Sequence, residues 1–369
     1  MKLAACAYYN FKAIELFYDD LDALARSMSA QPTRDDLLMA AREIRAICDS
    51  LQIRVLSLQP LQFYKGLVDR RERDRIAYEV VPLWMDILDI VGGDTILIAF
   101  NYLPEDPTAG YSPIANDFEV IAGDLRLLTT MGAARFPPVK FEYEAFAWGT
   151  YINTWEASWD IVQRVDRPNF GLAIVTFNIT GMVYADPSVA GGRNGPQAVA
   201  NLHQSFQRLA TKLNLEKLFV VQMADAEKLS EALKPGYPFY VPGQPSRMSW
   251  SRAARQFLCE EDRGGYLPVL DVLRTVVNMG WSGWLARFAI HIPDGDLTLC
   301  GEARFINAFP PIALPTGSAN RDGSFGHALI LRRKGPALYI RKSRQSPITL
   351  WDFSDRGYRS RVTRLYFDN

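Results

Sequence analysis

Two apolar runs in this chain each end on a side-chain oxygen. Val139-Lys-Phe-Glu-Tyr-Glu144 ends on a carboxylate and Leu218-Phe-Val-Val-Gln222 on an amide. A strand drawn through each run delivers its donor at the carboxyl end, the edge where β/α barrels collect catalytic and metal-binding groups. Two further oxygen donors beside them would complete a site for a hard divalent cation.

The elements that must position these donors alternate along the chain. Strand-like runs at Lys12–Phe17, Ile53–Leu58, Thr95–Phe100, the run ending near Glu144, Phe170–Val175, the run ending at Gln222, and a stretch near Trp284 give seven strands. Between them, helices are expected over Asp36–Ser50, Arg70–Val91, Asp117–Met131, Thr154–Val165, Gln197–Leu213 and Leu267–Met279. In the first of these Leu37, Leu38, Ala41, Ile44 and Ile47 recur at three- and four-residue spacing. Strands apolar enough to be buried on both faces belong to a parallel sheet. Polar groups ending strand after strand favour a barrel over a doubly wound sheet. The expected fold is a (β/α)8 TIM-barrel-like domain over residues 1–295, lacking its first strand. Residues 296–369 read as an irregular C-terminal tail, with no clear strand alternation before Ala328-Leu-Ile-Leu. Seven strands leave an open barrel with two exposed edges, which predicts poor expression or aggregation.

Bulk composition excludes several function classes. The 369 residues are 48% hydrophobic and carry 41 basic against 41 acidic side chains, so no polyanion-binding surface is implied. No run of 18 apolar residues suggests a membrane span, and Asn10 and Lys12 spoil the N-terminus as a signal peptide. Cys6, Cys48, Cys259 and Cys300 are scattered without Cys-x-x-Cys spacing, which points to a reduced, cytoplasmic setting. His203, His291 and His327 have no partner at ligand spacing and read as surface or packing residues.

Several longer blocks carry a resemblance. Ile14-Glu-Leu-Phe-Tyr-Asp-Asp-Leu21, Gly66-Leu-Val-Asp-Arg70, Tyr143-Glu-Ala-Phe-Ala-Trp-Gly149, Thr154-Trp-Glu-Ala-Ser-Trp159, Thr176-Phe-Asn-Ile179 and Arg247-Met-Ser-Trp-Ser-Arg252 are similar to the fungal 3-dehydroshikimate dehydratases of quinate catabolism. These are xylose-isomerase-like barrels, and the resemblance runs from about residue 2 to Trp284. It implies a carbon–oxygen lyase that removes water from 3-dehydroshikimate to give protocatechuate. A base takes a proton α to the ketone, and a divalent metal (Mg, Mn or Co) stabilises the enolate oxygen. By that resemblance the metal ligands are Glu, Asp, Gln and Glu. The first falls on Glu144 and the third on Gln222, but the second and fourth positions hold Val175 and Phe288. The resemblance also assigns the substrate carboxylate to Ser251 and Arg255. A guanidinium offers two parallel donors and a hydroxyl a third. Arg247 adds charge to the same loop, Gln244 to Arg255. Asn178 is the candidate for a substrate hydroxyl, and Arg70 is expected to reach the substrate as well.

The likeness stops within about two residues of Trp284, and the strand that opens the family's barrel is absent. Both breaks read as a gene model wrong at its two ends, whereas Val175 lies inside a well-matched stretch. The expected partner is a small-molecule carboxylate substrate, not nucleic acid or membrane. Two other readings stay open: a catalytically impaired barrel that binds a shikimate-like acid or a partner protein, and a metal-independent isomerase of secondary metabolism.

Overall fold

Eight parallel strands close into a barrel in the computed structural model, which describes residues 2–8, 11–99, 102–103, 112–258, 260–289 and 327–331. In chain order the strands are β1 (Ala13–Phe17), β2 (Arg54–Leu61), β3 (Thr95–Ile98), β4 (Lys140–Tyr143), β5 (Phe170–Val175) and β6 (Leu218–Met223). After them come a small antiparallel pair, β7 (Asp225–Ala226) with β8 (Arg255–Gln256), then β9 (Trp284–Ala289) and β10 (His327–Leu331). Around the barrel the order is β1-β2-β3-β4-β5-β6-β9-β10. Every residue of β1, β3 and β5 is buried, as strands covered on both faces require.

The seven strands expected from sequence are present. The edges that seven strands would leave exposed are not, because β10 fills the gap. It pairs in parallel with β1 (Ala13 with Ala328, Ile14 with Leu329) and with β9 (Leu285 with His327 through Ala289 with Leu331). The expectation of an open barrel is corrected on that point. Periodicity could not show it, since closure pairs β1 with a strand more than 300 residues downstream. The rest of the expected tail lies outside the described residues.

Local chemistry explains where the helices differ from the sequence reading. The first long helix starts at Arg34 rather than Asp36. Thr33 caps it: the Thr33 Oγ1 accepts from the Asp36 N–H, and the Asp36 carboxylate accepts from the Thr33 N–H at 2.8 Å. The stretch expected as one helix from Arg70 to Val91 contains a π-helical turn, Ile76–Val80, just before Pro82. A proline has no N–H to give its preceding turn, and widening the helix there accommodates it. Gly92, at φ 75°, ends that helix in the left-handed conformation. The segment Gln244 to Arg255, expected as a loop, forms a helix over Ser246–Ala254 that runs directly into β8.

Closure by β10 makes a specific prediction. Leu329→Pro removes a ladder donor from a strand with neighbours on both sides. The variant should lose its cooperative thermal melt or aggregate, as followed by circular dichroism and light scattering. A melt identical to the parent's would mean that β10 contributes nothing to the barrel.

Candidate active site

β4 does most of the positioning. Its residues alternate between the barrel interior and the helix layer, so Glu142 and Glu144 share one face while Tyr143 packs outward, 5.9 Å from the Phe170 ring. Glu144 follows the last residue of β4 and extends the ladder by one bond, its N–H donating to the Ile98 carbonyl at 3.1 Å. Its side chain is buried, and Oε1 accepts from the Asn178 amide at 2.8 Å. Asn178 is held in turn by the Ala147 N–H, which donates to Asn178 Oδ1 at 3.3 Å. Asn178 belongs to a helix, Thr176–Val183, that begins where β5 ends. Sequence reading placed Asn178 against a substrate hydroxyl; its observed partner is Glu144.

Two basic side chains flank Glu144. Lys65 is buried, donates to the Ala99 carbonyl at 2.7 Å, and lies 5.0 Å from the Tyr143 ring centre. Arg255, also buried, stacks its guanidinium 4.3 Å from the Phe177 ring centre. The β7–β8 pair fixes Arg255, which sits opposite Ala226. Burial pushes the Glu144 carboxyl up to about 7, with Arg255, Asn178 and Lys65 pulling it back down. Burial likewise holds Lys65 well below the usual lysine range, against the pull of Glu144. Ser251, fully buried on the helix before Arg255, has an Oγ with no hydrogen-bond partner among the described residues.

Gln222 is engaged elsewhere. Its Nε2 donates to Glu15 Oε2 at 2.9 Å, and Gln59 Nε2 donates to the same oxygen at 2.6 Å. Ser57 Oγ adds a longer contact to it, 3.4 Å. Glu15 on β1 is therefore a buried carboxyl crowded with donors on one oxygen and, among the described residues, with none on the other. Burial raises it well above the carboxylate range, and Glu142 and Glu144 raise it further. Glu142 is pushed up to about 8, by burial first and then by Glu144 and Asp94.

The ligand set implied by resemblance does not fit a divalent metal here. Val175 is buried and pairs in register with Gln222, which puts a hydrocarbon side chain on the rung where the second anionic ligand belongs. The Phe288 backbone lies in β9 opposite Ile330. Gln222 donates through Nε2 to Glu15, which leaves only its Oε1 to offer a cation, and Glu144 already has Asn178 and Arg255 nearby. Among the described residues, no three His, Cys, Asp or Glu side chains gather where they could hold a metal ion.

Two arginines expected at the substrate are occupied by structural partners. Arg70 clamps Asp124 with both terminal nitrogens and donates to the Leu67 carbonyl at 3.1 Å. Asp124 also accepts from the Gly66 N–H at 2.8 Å, so the pair fastens the loop after β2 to the helix Phe118–Ala133. Arg247 donates to the Gly181 carbonyl at 2.7 Å and the Ala185 carbonyl at 2.8 Å, bracing the end of the helix that carries Asn178. Conversely, Glu15, Glu142 and Lys65 were not picked out from the sequence. The two-residue spacing of Glu142 and Glu144 was the available signal, because both must face one way on a strand.

The buried acids set the pH dependence of stability. Glu142 and Glu144 keep their protons up to about pH 8 and 7, whereas unfolded glutamates release theirs near 4.3. The folded state thus binds more protons between these limits, and stability falls as pH rises through that window. The thermal midpoint should drop steadily from pH 5.5 to 8, and Glu142→Gln should flatten part of the slope and melt above the parent at pH 8. A midpoint that rises over this range would contradict the burial of these carboxyls. The ligand argument is tested by Val175→Asp. An unpaired buried carboxylate there should cost about 3–5 kcal/mol at pH 7.5. Mn²⁺ should then recover most of the lost midpoint in the variant while leaving the parent unmoved.

Comparisons with known proteins agree with this architecture. The family model described as a xylose isomerase-like TIM barrel matches residues 3–291. The 3-dehydroshikimate dehydratase of Neurospora crassa is 40% identical over 292 residues, 77% of this chain and 79% of that protein. A solved fusion of a xylose isomerase-like TIM barrel with a 4-hydroxyphenylpyruvate dioxygenase superposes with a TM-score of 0.57 at 23% identity, covering 79% of this chain and 37% of that one. The IOLI protein, solved with a bound zinc atom, has a TM-score of 0.51 at 18% identity over 77% of this chain and 81% of its own. On sequence and fold together, this chain belongs to the xylose isomerase-like TIM barrels, in the family of the 3-dehydroshikimate dehydratases.

Proposed function

We propose that the protein dehydrates a ring carboxylate of the 3-dehydroshikimate class, the acid for which its Neurospora crassa relative is named. The observation that carries this reading is Glu144. It is a carboxyl with a pKa of about 7, placed at the catalytic edge of the barrel, oriented by Asn178 and influenced by Lys65 and Arg255. A base poised near neutrality is what abstraction of a proton α to a ketone requires.

In this reading Glu144 takes the α-proton, and the electron pair of the broken C–H bond moves onto the ketone oxygen. The enolate collapses to a carbon–carbon double bond as the β C–O bond breaks. Glu144 returns its proton to the departing hydroxyl, which leaves as water, and tautomerisation completes the aromatic ring. Arg255 and Ser251 receive the substrate carboxylate; Ser251 Oγ, buried with no partner among the described residues, donates to it. Asn178 holds the base still, and the positive charge of Arg255 offsets the charge that develops in the enolate. A zinc atom is described in the IOLI barrel of the same fold, but the residues present here do not support a divalent metal in that role.

Val175 and the engaged Gln222 also favour a second reading, a barrel that binds the acid without turning it over. One assay separates the two. The chain is incubated with 3-dehydroshikimate in EDTA and in Mn²⁺, and protocatechuate is followed by its ultraviolet absorbance. Product should form at the same rate in both, and Arg255→Ala should lower kcat/KM about 100-fold, the loss expected when a charge-assisted carboxylate contact is removed. No product, with the substrate still raising the thermal midpoint, would leave the binding reading standing.

A further inference from the structure

The opposite end of the barrel holds a cavity that the proposed reaction does not use. It has a volume of about 660 Å³ and opens among the first residues of the strands, beside Arg54, Asp94 and Lys140. Its inner end reaches Glu15, Ser57 and Glu142, one layer below Glu144 and Gln222. Glu15 and Glu142 are each 3% exposed, and each has a buried Oε1 with no hydrogen-bond partner among the described residues. Two buried carboxyl oxygens with no partner are costly unless something bonds to them.

We infer that this cavity binds a primary alkylammonium, with its charged head between Glu15 and Glu142. An ammonium offers three donors, and the inner end of the cavity offers three acceptors: Glu15 Oε1, Glu142 Oε1 and the lone pairs of Ser57 Oγ. Ser57 already spends its own proton on Glu15 Oε2. The walls suit an alkyl chain, since Leu218, Val220 and Trp284 line the space between the carboxylates and the mouth. A bare metal ion suits it less well. No third acidic, histidine or cysteine ligand joins the pair among the described residues, and the volume is many times that of one ion. At the rim Asp94 is paired with Lys140 at 3.1 Å, whereas Glu216 lies in no ion pair among the described residues. A second ammonium at the far end of a short diamine would meet it there.

The test uses the full chain and four probes at matched ionic strength: 1,4-diaminobutane, n-butylamine, 1,4-butanediol and KCl. At pH 8 the two amines should raise the thermal midpoint by about 3 °C or more at millimolar concentration. The diol and KCl should not. In Glu142→Gln and Glu15→Gln, each confirmed as folded by circular dichroism, the amine shift should shrink and the calorimetric affinity fall at least ten-fold. An equal shift from KCl or the diol, no shift from either amine, or an undiminished shift in both variants would overturn the assignment. The parent protein's contrast between diamine and diol keeps the test decisive if either variant does not fold. Dehydration need not change in any arm, so failure here leaves the proposed reaction untouched.

Discussion

Three carboxylates share the interior of one narrow barrel, and much of the surrounding structure is a response to that crowding. Glu15, Glu142 and Glu144 are all buried and repel one another, so none can ionise as readily as in water. The barrel relieves this in three ways. Gln59 and Gln222 both donate to one oxygen of Glu15. Asn178 donates to Glu144, and Arg255 and Lys65 beside it also lower the cost of its charge. The remaining charge is suppressed by protonation. The side chain that resemblance marks as a metal ligand, Gln222, is thereby committed to charge relief. Its Nε2 holds the protein's own anion, and a cation could be met only through the other end of the amide, Oε1.

Strand periodicity divides the interior into two functional layers. On β4 the step from Glu142 to Glu144 spans two residues, about 7 Å along a strand, and both side chains face inward. The upper carboxylate reaches the edge where Asn178 and Arg255 arrive from the segments after β5 and before β9. The lower one reaches a cavity entered from the other end. Charge at one layer is felt at the other, because little high-dielectric solvent lies between them. Glu144 is among the groups that hold the Glu142 carboxyl up, so the two layers are linked through a single strand.

What could be read from the sequence follows from which interactions are local. Strands such as Phe170–Val175 were visible because burial on both faces leaves an unbroken apolar run, and Glu144 and Gln222 stood out as the polar ends of such runs. Glu15 was hidden inside a strand whose five residues are all buried, where a lone acid between Ile14 and Leu16 looks like a tolerated exception. Lys65 was hidden in a loop, since only the folded chain brings it to the Ala99 carbonyl. The partner of Arg70 was hidden too: Asp124 lies 54 residues away in another helix. The closing strand His327–Leu331 was seen only as an alternation of apolar residues, because the gap it fills is a property of the whole barrel.

Val175 shows how a change at one strand end passes to its neighbours. An aspartate on that rung would add a fourth carboxylate to an interior already holding three, and only a bound cation could make four tolerable. A valine removes that demand but also removes one of the anions that would attract a divalent ion. Glu144 is then left needing a counter-charge of its own, and the side chains able to supply it are Lys65 and Arg255. Unlike a metal ion, these are tethered, cannot be chelated away, and hold their positions through the Ala99 carbonyl and the Phe177 ring. Their weakness is weaker polarisation: an ammonium or guanidinium near an enolate stabilises it less than a divalent ion bonded to the oxygen. Chemistry at this site must then lean more heavily on the basicity of Glu144, which burial has already raised to near neutrality.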